Sequence, residues 1–167
     1  MKLASKIILF VFGIGLFFSS CEKKKCEDTV PEISYMDFKL SETDSNAYLL
    51  IFEFADCDGD IGMETTSSIL DENGEVQLFN FFIDLYFLDQ GVWYKHEINK
   101  DAGLHSKIPI LENSNLDPSL EGEIEKSILS GNFVIWGYDT IKFKSKILDN
   151  SGHYSNEVET PAFVSGI

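Results

Sequence analysis

From residue 141 to residue 147 the chain alternates without a break. Ile141, Phe143, Ser145 and Ile147 fall on one side, and Lys142, Lys144 and Lys146 on the other. A period of two belongs to a β-strand, because successive side chains point to opposite faces of a sheet. One apolar face and one charged face call for a sheet with core on one side and water on the other, the usual situation of antiparallel sheets. The same rhythm recurs upstream. Tyr48, Leu50, Phe52 and Phe54 alternate with Leu49, Ile51 and Glu53, and Phe81, Ile83, Leu85 and Phe87 alternate with Phe82, Asp84 and Tyr86. Further strands are predicted over residues 33–40, 92–98, 132–136 and 154–163, with a short edge piece at 108–111 that Pro109 interrupts. Residues 121–129 fit either a strand or one helical face. Asp89-Gln90-Gly91 and Asp149-Asn150-Ser151-Gly152 read as turns. No long amphipathic helix and no internal repeat is visible, so the expectation is an all-β, antiparallel sandwich of seven or eight strands.

The first twenty residues follow a different logic. Lys2 and Lys6 give a short positive segment, and residues 7–18 form an apolar run broken only by Gly13 and Gly15. That length suits the hydrophobic region of an export signal and falls short of the roughly 20 residues that span a bilayer. The run ends in Phe18-Ser19-Ser20-Cys21, which resembles the lipobox of bacterial lipoproteins. The resemblance implies cleavage before Cys21, acylation of that cysteine with several chains such as palmitate, and attachment to a cell-envelope membrane. More than one chain is what stable anchoring requires, at about 0.8 kcal/mol per buried methylene. The expected organisation is therefore a signal peptide over 1–20, a lipidated tether over 21–31 and one domain over 32–167. Lys23, Lys24 and Lys25 on the tether either touch anionic headgroups or serve as a solvated spacer. Acidic residues soon after the lipid cysteine accompany surface delivery in lipoproteins of Bacteroidota-type bacteria. Here Glu22 is followed by three lysines, which favours the periplasmic face of the outer membrane.

Charge narrows the function classes. All 28 acidic residues lie beyond Cys21 but only 11 of the 13 lysines do, so the net charge moves from −15 for the whole chain to −17 for the mature one. Arginine, the favoured residue for bidentate phosphate and guanine contacts, is absent. Nucleic acid is thereby excluded as a partner. With Cys21 acylated, Cys26 and Cys57 remain as an even pair. An oxidising compartment permits a disulfide between them; the alternative is two free thiols, with Cys57 partly buried.

The segment Asp56-Cys57-Asp58-Gly59-Asp60-Ile61-Gly62 is the one constellation with chemical content. Three carboxylates at alternate positions, with glycines for tight turning, suit a hard cation such as calcium, which takes six to eight oxygen ligands. An EF-hand does not fit: its sixth position holds Ile61 instead of glycine and its twelfth holds Ser67 instead of glutamate. The competing reading is a solvated loop whose aspartates cap local backbone groups while Gly59 and Gly62 supply positive φ. Residues 141–158, which include Asp149-Asn-Ser-Gly-His-Tyr-Ser-Asn156, resemble the last hairpin of fibronectin type III-like domains. This sharpens the expectation to an Ig/fibronectin III-like sandwich. In such a fold Asp149 lies at the same end as Asp56, Asp58 and Asp60, and the four form the candidate calcium site. The loop, together with Lys107-Ile-Pro-Ile-Leu111 and Gly152-His-Tyr-Ser-Asn156, also resembles a group of small lipoproteins of Bacteroidota-type bacteria, from which no activity can be inherited.

No catalytic arrangement stands out. His96, His105 and His153 lack zinc-ligand spacing, and neither Ser67 nor Ser68 sits in a nucleophile motif. The expected function is a non-catalytic cell-envelope lipoprotein, a binding or interaction module stabilised by calcium, with a protein or glycan partner. The alternative is a small hydrolase acting on envelope polysaccharide or peptide. Trp93, Tyr94, Trp136 and Tyr138 either form a sugar-stacking surface or pack within the fold.

Overall fold

The computed structural model describes residues 29–97, 104–111 and 118–164. The predicted signal, Cys21, Lys23–Lys25 and Cys26 lie outside the described residues. Along the chain come β1 (Glu32–Leu40), β2 (Ala47–Asp56), β3 (Ile69–Leu70), β4 (Val76–Gln77), β5 (Phe81–Asp89), β6 (Val92–Lys95), β7 (Leu120–Leu129), α1 (Ser130–Trp136), β8 (Thr140–Ile147), β9 (Val158–Glu159) and β10 (Phe163–Val164). One sheet has the order β1-β2-β7 and the other β10-β8-β5-β6, with β9 also on β8; β3 and β4 make a separate hairpin. All the pairings are antiparallel. This is the all-β sandwich-like fold expected from the alternation.

The alternation decides which face goes inside. Leu50, Phe52 and Phe54 of β2 meet Phe81, Ile83 and Leu85 of β5 and Ile141, Phe143 and Ile147 of β8 in one core. Phe52 and Phe81 touch edge to face across the two sheets, with ring centroids 5.7 Å apart. The lysine face of β8 is not simply bathed in water. Lys142 pairs with Glu159 at 2.8 Å and lies 4.3 Å over the Trp93 ring, and Lys144 pairs with Glu157 at 2.9 Å. Lys146 sits 3.6 Å from the Tyr154 ring centre. The β5–β6 turn carries Gln90 at φ 47 and Gly91 at φ 82. Two successive positive values match the right-handed twist of a tight hairpin.

Three expectations are corrected. Residues 132–136 are helical: α1 places Phe133 and Trp136 three apart on one face, where both meet the core. The helix stops at Gly137, whose left-handed φ of 64 lets its N–H reach the Phe133 carbonyl at 3.0 Å. Residues 154–163 are not one strand. Thr160 and Pro161 separate β9 from β10; the Thr160 hydroxyl takes the Phe143 N–H at 3.0 Å, and proline has no N–H to offer a ladder. Residues 108–111 form no strand, because the Ile108 N–H goes to the Asn80 side chain at 2.6 Å instead. The ambiguous stretch 121–129 is strand, paired with β2 along its whole length. The β3–β4 hairpin escaped the sequence reading, since two-residue strands are too short to show a period.

Phe52 is wholly buried at the junction of the sheets. Phe52→Ala is expected to cost about 3–5 kcal/mol in urea unfolding, from lost transfer energy plus a cavity. Lys144→Ala, which removes a part-exposed ion pair, should cost less than about 1 kcal/mol in the same measurement.

Candidate metal centre

Asp56 ends β2 and is completely buried, although it is a carboxylate. The chain then turns out of the sheet. Gly59 adopts φ +68 so closely against the 118 segment that a Cβ there would lie 1.8 Å from the Pro118 carbonyl oxygen. At Gly62, with φ +123, an added Cβ would lie 2.8 Å from the Pro109 carbonyl oxygen. Between the glycines, Ile61 turns into the core, and its N–H donates to Asp56 Oδ2 at 2.9 Å. The glycines therefore serve close backbone approach as well as turning. The result is that one carboxylate oxygen from each of Asp56, Asp58 and Asp60 comes within 4.8 Å of the others.

Two oxygens in this cluster have no hydrogen-bond partner and no solvent contact: Asp56 Oδ1 and Asp60 Oδ1. The electrostatics follow. Burial pushes the Asp56 carboxyl up to about 7, with the neighbouring Asp58 and Asp60 charges adding to the rise and the Ile61 N–H opposing it. Asp60 is held from the far side: its Oδ2 accepts from the Ser151 hydroxyl at 2.7 Å, and its backbone carbonyl accepts from the Asn150 amide at 2.7 Å. The last turn thus does reach the acidic loop, but through Asn150 and Ser151. Asp149 is not one of the three clustered carboxylates. Its Oδ1 accepts the His153 N–H at 2.7 Å and its Oδ2 faces His153 Nδ1 at 3.1 Å. Burial raises its carboxyl as well; the His153 contacts counter this and the Asp60 charge adds to it.

Neighbouring loops lock onto the same end. Met63 N–H donates to the Ile108 carbonyl at 2.8 Å. Lys107 has no acidic partner among the described residues; its ammonium caps the carbonyls of Glu64, Thr65 and Ser67 at 3.2, 2.6 and 2.8 Å. Asn156 bonds both backbone groups of Ile33 at 2.9 Å. The acidic loop, the 107–111 segment and the final turn, far apart along the chain, are parts of one joint. The sequence signal for the Asn150 and Ser151 contacts was their place in a turn; Lys107 was read only as the start of the 107–111 landmark, and nothing in the sequence flagged Asn80.

Cys57 is disulfide-bonded. That removes the free-thiol reading for Cys57; the other cysteines of the chain, Cys21 and Cys26, lie outside the described residues. The three histidines are scattered. His105 Nδ1 accepts the Ile83 N–H at 3.1 Å, and burial lowers its pKa. His96 meets the Tyr138 hydroxyl at 2.7 Å. The Asp149–His153 pair has the form of an oriented base, yet no hydroxyl or thiol among the described residues bonds the other ring nitrogen. The aromatic side chains mostly pack: Trp136 and Tyr138 lie against the core, and Lys142 covers the Trp93 ring. Tyr94 is exposed.

Compared with protein-family models, curated proteins and solved structures, the chain matches none.

Two outcomes are expected of the metal-free chain. Between about pH 4 and pH 7 the native state retains a proton on Asp56 that the unfolded chain has lost, so this group makes stability fall as pH rises through that window. Asp56→Asn, followed by urea unfolding across that range, should flatten the fall. Gly59→Ala should cost well over about 1 kcal/mol, since both the positive φ and the Pro118 carbonyl oppose a side chain.

Proposed function

We propose that the chain is a non-catalytic, lipid-anchored module of a bacterial cell envelope whose sandwich is stabilised at one end by calcium. The observation that carries the calcium reading is the pair of buried, unpartnered carboxylate oxygens on Asp56 and Asp60, inside a cluster that also includes Asp58. Buried carboxylates that face one another must be protonated or neutralised by a cation. An all-oxygen donor set suits a hard ion, and an irregular loop suits calcium better than magnesium, which demands near-ideal octahedral geometry. Asp56, Asp58 and Asp60 would hold the ion; Asp149, committed to His153, would act only by its charge.

The anchor part of the reading rests on the sequence, on Lys2, Lys6, the apolar residues 7–18 and Cys21. A cation that fixes the junction of three loops would rigidify the surface they present, as suits a binding module for a protein or glycan of the envelope. The packed state of Trp136 and Tyr138 leaves Tyr94 and the rest of the β5–β6 hairpin, where Leu88 and Val92 are also exposed, as the better contact surface.

The test is calorimetry and thermal melting of the Cys21→Ser chain, stripped with a chelator and titrated with calcium. A saturable heat is expected, together with a stabilisation of about 2.7 kcal/mol once free calcium reaches about a hundred times its dissociation constant. Asp58→Asn/Asp60→Asn should abolish both. No heat and no melting shift at millimolar calcium would overturn the site. Washing of membranes from cells expressing the chain tests the anchor: Cys21→Ser should release into the soluble fraction a protein that otherwise stays with the membrane.

A further inference from the structure

A second acidic surface lies on the outer face of the β1-β2-β7 sheet. Alternation that sends Ile33 and Phe54 inward turns Glu32 and Ser34 of β1, Glu53 and Ala55 of β2, and Glu121 and Glu123 of β7 outward. They line a groove of about 460 Å³. The register places Glu53 directly opposite Glu123, and Ala55 between Glu32 and Glu121. Like charges directly opposite one another destabilise a sheet. None of the four glutamates forms an ion pair with another described residue. The groove thus concentrates negative charge with nothing among the described residues to balance it.

Cationic groups of this chain lie close by in sequence. Lys23, Lys24 and Lys25 precede Glu32, the first residue of β1 and a wall of the groove. The seven residues from Lys25 to Glu32 can span up to about 25 Å. Adjacent strands lie only about 4.8 Å apart, so the whole width of this three-stranded sheet is within reach. The disulfide gives an independent constraint. Cys57 stands two residues beyond Ala55, at the same end of β2. The chain's other two cysteines, Cys21 and Cys26, flank the three lysines. With Cys21 acylated as proposed, Cys26 is the cysteine left to bond Cys57, and each lysine then lies within three residues of the bridge, a reach of at most about 11 Å. A short tether of this kind raises the local concentration of the lysines at the groove without any new contact.

We propose that the outer groove of the β1-β2-β7 sheet is the docking site of the chain's own Lys23-Lys24-Lys25 segment, which lays its ammonium groups among Glu32, Glu53, Glu121 and Glu123. The segment is then a basic strap that holds the domain's acidic face against its own tether. A lysine suits this role, because its flexible stem lets a compact charge settle between carboxylates that are not arranged as a fork.

Zero-length carbodiimide coupling reads the contact directly. The Cys21→Ser chain is prepared as an equal mixture of isotope-labelled and unlabelled protein, coupled, and mapped by peptide mass spectrometry. This variant retains Cys26 and all three lysines. Amide links from Lys23, Lys24 or Lys25 to Glu32, Glu53, Glu121 or Glu123 are expected within single chains, and they should be lost in about 1 M salt, where the screening length falls to about 3 Å. Glu53→Gln/Glu123→Gln, with its melting temperature checked, should lower the yield of those links without unfolding the chain. The same coupling in the presence of phosphatidylglycerol vesicles should leave them in place. Links that join a labelled to an unlabelled chain would assign the groove to a second copy, and loss of the links on the vesicles would assign the lysines to a lipid surface. Either result, or lysine links confined to carboxylates outside the groove, overturns the proposal.

Discussion

The end of β2 is organised by a carboxylate taken out of water. A buried aspartate costs free energy unless hydrogen bonds, a proton or a cation offset the loss of hydration. At Asp56 one oxygen is satisfied by the Ile61 N–H and the other by nothing among the described residues. The surrounding loops can be understood from that point outward. Gly59 and Gly62 allow the backbone to fold back tightly enough for Asp58 and Asp60 to converge on it. Ile61, between them, anchors the loop in the core. The last turn then grips Asp60 from the other side through Asn150 and Ser151.

Much of the framework was legible because period two is a strong signal when one face is buried. The strands around Phe52, Ile83 and Phe143 stood out for that reason, as did the tight turn at Gln90-Gly91. Legibility failed where tertiary contacts decided the outcome. Residues 132–136 had the composition of a strand, but Phe133 and Trp136, three apart, reach the same core only from one face of a helix. Ile108 had the composition of a strand, but its N–H was claimed by Asn80. At the site, the three clustered aspartates were visible as a run of alternating carboxylates. The separation of Asp149 from them was not, because a hydrogen bond from its own turn, at His153, cannot be read from composition.

The sandwich places unlike acidic features at one end. Inside the loop, few carboxylates converge on one that is buried, Asp56, which suits a single hard cation. On the outer face, glutamates are hydrated and spread across three strands, which suits mobile ammonium groups held by screened attraction. The disulfide at Cys57 adjoins both. Elsewhere several charges are spent locally: Lys142 and Lys144 on Glu159 and Glu157, and Asp71 on the Glu75 and Asn73 N–H groups, which hold its carboxyl low.

The central claim is that Asp56 sits in a site requiring either a proton or a cation. Carbon-13 detection of the Asp56 side-chain carboxyl by nuclear magnetic resonance, followed through a pH titration with and without calcium, tests it most directly. Without calcium the carboxyl should titrate near pH 7, as its burial among like charges dictates. With saturating calcium it should stay ionised to much lower pH, because the ion competes with the proton for the same oxygen. An Asp56 carboxyl that titrates in the ordinary range near 4 in both samples would contradict the account.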